Sequence, residues 1–288
     1  MSAPAQTVDS LKGASETLLI PLACRARASR ENIVPGFTDR KAEEICAHFD
    51  VDLKRYASNL PTLHGAIQRG MWFDGRIIAF LKKHPGALVL SLGSGLNTMY
   101  ERIAAQTGSE INWRWIDSDL PDVVALRRTV FEDGPNRSTI ELDASSPTWP
   151  QRPELAGAAP LLVLSEAVLI YLPEPQVAAA FKRAAEAGRT RPACGFVYDW
   201  CSPEFVKRSR RHPAIKKLKD QSVVFQSSMR RASDIQAYHP DWRIIEESSA
   251  PMMRAGAAAV FFHFLFRLMT GGRRAYGLAE ASLKPAQR

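Results

Sequence analysis

"LSLGSGLNTMYERI", residues 90–103, ends a buried apolar run on two glycines and then takes up helical spacing. The run it closes, ALVLSL (87–92), has the length and composition of a buried strand. A Gly-x-Gly turn leaving a strand removes two Cβ atoms where a ligand can lie against the backbone, and the helix that follows offers unpaired N–H groups. Such a turn points to a nucleotide-like ligand at the carboxyl end of the strand.

The same rhythm continues along the chain. INWRWID (111–117), STIEL (138–142), PLLVLSE (160–166) and ACGFVYD (193–199) read as further strands, and helical patterns over 98–106, 121–132 and 174–188 alternate with them. Only the stretch SSPTWPQRPELAG, after the third strand, lacks a helical period. DWRIIEES (241–248) is a late strand, residues 255–269 a helix and AYGLAEASL (275–283) an edge strand. Upstream, Ala42, Ile45, Cys46 and Phe49 share one helical face with Thr38 as N-cap. Phe73, Ile77, Phe80 and Leu81 share another, on a helix that HPG (84–86) stops.

Strands alternating with helices specify right-handed βαβ units. The predicted class is α/β: a Rossmann-like, mostly parallel seven-stranded sheet with helices on both faces, an N-terminal helical cap and a helical insert. The expected division is a disordered tail (1–15), a helical cap (16–86), a ligand-binding core (87–200), a basic helical insert acting as a substrate lid (201–240) and a C-terminal part of the core sheet (241–288).

Composition agrees with this. The chain has 288 residues, 45% hydrophobic and 24% charged, as expected for one large domain with a smaller appendage. A net charge of +8 favours an acidic ligand over a basic one without choosing among nucleic acid, a membrane surface and a small anion. Cys24, Cys46, Cys194 and Cys201 show no C-x-x-C pairing, so reduced buried thiols in the cytoplasm are expected, with no disulfide frame and no metal site. The first residues lack a basic-then-apolar signal. The most apolar stretch, 255–266, is too short to span a bilayer.

The dinucleotide fingerprint G-x-G-x-x-G would place a third glycine where Thr98 stands, and no G-x-x-x-x-G-K-[ST] occurs. A ligand with an adenosine and no diphosphate remains, and S-adenosylmethionine is the commonest such cofactor. Asp117 and Asp119 lie about 25 residues beyond the glycines at the end of strand two, where a carboxylate can accept from two ribose hydroxyls. Asp143, ending strand three, is placed to reach an adenine amine. Glu166, ending strand four, is placed to meet an α-ammonium group, with Arg69 meeting the carboxylate. Tyr198, Asp199 and Trp200, ending strand five, are candidates to face the acceptor.

Four segments match a family in order and spacing: RGMWFD (69–74), VLSLGSGLNTMYER (89–102), WRWIDSDLPDVVALRR (113–128) and VLSEAVLIYLPE (163–174). Together they resemble the leucine carboxyl methyltransferase superfamily of class I S-adenosylmethionine-dependent O-methyltransferases, and within it the bacterial tetracenomycin-type branch associated with polyketides. PLACRARAS (21–29) and FTDRKAEEI (37–45) resemble that branch too. The resemblance implies cofactor contacts from Arg69, Gly93, Asp119, Asp143, Ala144 and Glu166, with Gly95 completing the turn. Departures are Asn97-Thr98-Met99 in place of Asp-Thr-Arg, and Ser94 in place of a common Ala. Asn97 can still cap the following helix.

Methyl transfer to a carboxylate needs no general base, whereas a phenol with a pKa of about 10 does. The six histidines form no recognisable base motif. The expected reaction is therefore methylation of an oxygen, foremost a carboxylate, on a small anionic molecule, with neither membrane nor nucleic acid as partner. Two alternatives stand beside it. The basic run from Lys207 to Lys219 would suit a nucleic-acid-directed methyltransferase or binder. The changes at Asn97 and Met99 would suit a non-catalytic partner protein that binds the cofactor.

Overall fold

The computed structural model describes residues 13–108, 112–213, 215–220, 222–249 and 274–284. The helix expected over 255–269 and most of the expected tail lie outside the described residues. Four helices come first: α1 (Leu19–Arg30), α2 (Arg40–His48), α3 (Leu53–Tyr56) and α4 (Leu60–Lys83). The sheet then forms from β1 (Ala87–Leu92), β2 (Trp113–Asp119), β3 (Arg137–Glu141), β4 (Leu161–Ser165), β5 (Cys194–Cys201), β6 (Trp242–Ser249) and β7 (Tyr276–Leu283), in the order β3-β2-β1-β4-β5-β7-β6. Helices α5 (Met99–Thr107), α6 (Pro121–Arg127) and α7 (Glu174–Gly188) follow β1, β2 and β4. β7 runs antiparallel to both neighbours and the other ladders are parallel.

Residues 275–283 are thus not the edge: β7 lies between β5 and β6, and β6 takes the outside. Small residues make this possible. Gly277 faces Trp200, and a Cβ there would come within 2.4 Å of the indole Cε2. β7 is buried along most of its length, while β6 is half-exposed.

The period of two sorts β1 between two layers. Leu88, Leu90 and Leu92 join Val177 and Phe181 of α7, whereas Ala87 and Val89 join Phe73, Ile77 and Leu81 of α4 with Met99 and Ile103 of α5. The later half of α4 is therefore a layer of the core, not part of a cap standing apart from it. Its start is capped by Asn59, which accepts from the Thr62 N–H at 2.9 Å. On α2 the cap is Asp39, not Thr38: its carboxylate accepts from the Ala42 N–H at 3.0 Å.

Residues 201–240 depart from expectation. They contain α8 (Pro203–Val206), of four residues, and short 3-10 turns at 209–211, 215–217 and 232–237. Ile215, Leu218, Val223 and Phe225 nonetheless pack into the cluster formed by α1 and α2. Their spacing of two to five residues imitates a helix while it serves an irregular chain laid across an apolar floor. Among the described residues no helix is long and apolar enough to cross a membrane, and all four cysteines are buried.

Candidate functional site

β1 is the switch point of the sheet, since its neighbours β2 and β4 are reached in opposite directions. The loops after β1, β2, β3 and β4 line one cavity of about 620 Å³, covered by α1, α4 and residues 205–225. That volume suits a small-molecule cofactor.

The floor is the glycine turn. Gly93 and Gly95 have φ of +64° and +50°, in the left-handed region that glycine adopts freely. At Gly93 a Cβ would also stand 2.5 Å from Cγ2 of Val168. Buried arginines hold the carbonyls of the turn. Arg127 donates to Gly95 O at 2.8 Å and Asn97 O at 3.3 Å, and Arg25 donates to Leu96 O at 3.0 Å. Asn97 Oδ1 accepts from the Met99 N–H at 3.3 Å, but the N-cap of α5 is Thr98, whose side chain makes no capping bond, so the cap expected from Asn97 is not the one formed.

Asp119 lines the cavity beside this turn. Its carboxylate accepts from the Gly95 N–H at 2.7 Å and the Leu120 N–H at 2.8 Å. Burial pushes its pKa up to about 6 in spite of those two bonds. Asp117, two residues earlier on the same face of β2, does not line the cavity and must be set apart from the cofactor candidates. It is fully buried and bonded to Arg127 at 2.6 Å, Arg137 at 2.8 Å and Trp115 Nε1 at 2.9 Å. Burial works to raise its pKa, but Arg127 and Arg137 hold it below the usual range. Its structural task is to fix Arg127 under the glycine turn.

At the other side of the turn Glu166 pairs with Arg69 at 2.8 Å, and both line the cavity. Burial opposes the charge on Glu166, yet Arg69 and Arg25 hold its pKa below the ordinary value. The next residue, Ala167, has φ of +57°, and its N–H is held by Asp199 at 2.9 and 3.0 Å. Tyr276 donates to Asp199 and lies 3.3 Å from Arg69 Nη1. Asp199 therefore sits beneath the cavity and shapes the Glu166 turn, where an acceptor-facing role was expected.

Tyr198 and Trp200 also leave the candidate list. Both are buried in the sheet core; the Tyr198 hydroxyl donates to Ala232 O at 2.8 Å, and Trp200 packs on Gly277. Asp143 and Ala144 line the cavity at the end of β3, Asp143 exposed and bonded to the Ser145 N–H at 2.8 Å. Seven of the eight cofactor candidates thus surround one space, and Asp117 does not. Sequence reasoning missed Arg25, Arg127 and Tyr276. Arg127 carried a faint signal, an arginine one helix after a strand-end aspartate.

The donor set fits a ligand with an adenosine at one end and an amino acid at the other. A carboxylate with two oxygens stands at the turn, an ion pair of both signs stands beyond it, and the two glycines leave room for close approach between them. No family model matches the chain. It is 30% identical over 164 residues to the tetracenomycin polyketide synthesis O-methyltransferase TcmP of Streptomyces glaucescens, covering 57% of this chain and 58% of that one. It is 28% identical over 187 residues to the S-adenosyl-L-methionine-dependent methyltransferase dpfgK of Gibberella zeae, covering 60% and 61%. The matches thus span about three fifths of the length of these curated relatives.

Among solved structures, a Thermobifida fusca protein described as a methyltransferase superposes with a TM-score of 0.57 at 16% identity, over 97% of both chains. The fold is that of a class I methyltransferase. A DUF574 family protein of Streptomyces avermitilis has the same architecture, with a TM-score of 0.55 at 14% identity over 96% of this chain and all of that one. The resemblance to the tetracenomycin O-methyltransferase is one of sequence over about three fifths of the chain, and the solved structures show the shared methyltransferase fold.

Proposed function

We propose that this chain transfers a methyl group from S-adenosylmethionine to an oxygen of a small molecule, and that the oxygen belongs to a carboxylate. The observation that carries the reading is the single cavity at the switch point, with Asp119 on one side of the glycine turn and the Glu166–Arg69 pair on the other. The names of the two curated relatives support it.

In this reading Asp119 accepts from the two ribose hydroxyls, Asp143 and Ala144 border the adenine, Glu166 meets the ammonium and Arg69 the carboxylate. The cofactor supplies an electrophilic methyl on a sulfonium. The protein holds the acceptor oxygen in line with that methyl and keeps water out. A carboxylate, with a pKa of about 4, is already ionised at neutral pH, so no side chain has to remove a proton. Residues 201–240 act as the lid over the acceptor. Lys207, Arg208, Arg210, Arg211 and Lys216 are exposed on it and would raise the local concentration of an anion. A polyketide-like acceptor is favoured by the Streptomyces relative, an O-methyltransferase of tetracenomycin polyketide synthesis.

The test is calorimetric titration of the protein with S-adenosylmethionine and S-adenosylhomocysteine, with Asp119→Ala and Glu166→Ala alongside, followed by a carboxylic-acid panel scored for a methyl-sized mass gain. Micromolar binding lost in both variants is expected. A folded wild type that binds neither nucleoside would end the reading.

A further inference from the structure

Arg69 reaches the cavity from α4 on a long side chain, and a guanidinium left loose there would have to be ordered by whatever it binds. Two bonds order it in advance: its Nε donates to Glu166 Oε1 at 2.8 Å, and its Nη1 donates to the Tyr276 hydroxyl at 3.3 Å. Nε also lies 3.9 Å from Asp199 Oδ2. Glu166 holds the guanidinium from the turn after β4, and Tyr276 holds it from the start of β7.

The sheet itself sets the Tyr276 hydroxyl. Cys201 faces Tyr276 across the antiparallel β5–β7 ladder, so Asp199, two residues back along β5, is its diagonal neighbour on the same face. Asp199 is fully buried, accepts from the Ala167 N–H on both oxygens and takes the Tyr276 hydroxyl as well. Burial first, and the Asp199 carboxylate after it, push the phenol well above its ordinary value, so it stays protonated. With its one hydrogen given to Asp199, the oxygen turns only lone pairs toward Arg69. The ring is steadied separately, 6.1 Å from Phe205 at 75°.

We propose that Tyr276 is a positioning residue for the cofactor: its hydroxyl, aimed by Asp199, fixes the Arg69 guanidinium where the amino-acid carboxylate of S-adenosylmethionine docks. The inference rests on the cofactor assignment made in the methyl-transfer reading above. In that reading the adenosine half lies with Asp119, Asp143 and Ala144, whereas the amino-acid half depends on Arg69. Removal of the hydroxyl is therefore felt only by a ligand that carries the carboxylate.

The probes are S-adenosylhomocysteine and 5′-methylthioadenosine, which keeps the nucleoside and the thioether but has no amino acid. Both are titrated calorimetrically into wild type, Tyr276→Phe, Arg69→Met and the double variant. Tyr276→Phe keeps the ring and loses one hydrogen bond to a charged group, so S-adenosylhomocysteine should bind about tenfold more weakly. Its affinity for 5′-methylthioadenosine should stay within about twofold of wild type, which also shows the cavity to be folded. In the Arg69→Met background the same tyrosine change should cost nothing further. Wild-type affinity for S-adenosylhomocysteine in Tyr276→Phe overturns the inference. So does an equal loss for both ligands, which would mark a merely structural role, or an undiminished loss once Arg69 is gone. A wild type that does not bind S-adenosylhomocysteine instead defeats the methyl-transfer reading itself.

Discussion

Lowering the pH from 7.5 to 5 should weaken binding of S-adenosylhomocysteine about tenfold, through the protonation of Asp119. In the free protein burial pushes this carboxyl up to about 6, against hydrogen bonds from the Gly95 and Leu120 N–H groups. A ribose diol brings two further donors to the same carboxylate. The ligand therefore favours the ionised form, while the free cavity favours the protonated one. Affinity is then complete above pH 6 and falls as the pH drops through 6, with a proton released on binding near that point. If only the carboxylate binds, about one molecule in eleven is competent at pH 5, a loss of about 1.4 kcal/mol. Two neighbours do not confuse the measurement. Glu166 is held below its ordinary range and His212 sits at about 4, so neither changes charge between pH 5 and 7.5. Titration calorimetry in two buffers of different ionisation enthalpy reads both the affinity and the proton. An affinity flat across this range, or the same slope in Asp119→Ala, would refute the argument.

Three other outcomes follow from the geometry. Asp117→Asn should lower stability by about 3–5 kcal/mol in urea unfolding, because it leaves Arg127 and Arg137 buried beside a neutral group; unchanged stability with lost nucleoside affinity would return Asp117 to the cofactor. Gly93→Ala meets both a φ of +64° and the Val168 methyl groups. Adding Val168→Ala should relieve the collision but leave the backbone cost of about 1–2 kcal/mol, and full recovery of the unfolding midpoint would deny that cost. Glu166→Gln keeps the acceptor for Arg69 Nε but removes the charge offered to an ammonium, so S-adenosylmethionine should bind about 10- to 100-fold more weakly. Calorimetry giving wild-type affinity would remove Glu166 from that role.

Much of the sheet was legible because its signals are local. The β1 run, the glycine turn and the start of α5 stand within sixteen residues, and side-chain alternation along β1 maps directly onto two layers of helices. Where contacts are distant the sequence was silent. Arg25 reaches Leu96 across 71 positions, and Arg102 reaches Asp74 across 28, with bonds of 2.7 and 2.9 Å to its two oxygens. Nothing in the local pattern of α1 or α5 marks those arginines as buried.

Asp117 and Asp119 show most clearly what a strand pattern leaves undecided. Two residues apart, they share a face of β2, and both satisfy the rule that an acid near the end of strand two meets a ribose. Depth separates them. Asp117 lies inside the strand where Arg127, projecting from α6, covers it; Asp119 stands at the last strand position, beyond that cover, with the Gly95 N–H to orient it. Yet the two are coupled. Asp117 holds Arg127, Arg127 holds the carbonyls of Gly95 and Asn97, and Gly95 presents its N–H to Asp119. The residue that does not touch the cavity thus fixes the turn on which the other depends, so Asp117→Asn should also weaken S-adenosylhomocysteine binding, and its affinity loss and that of Asp119→Ala should combine non-additively in the double variant.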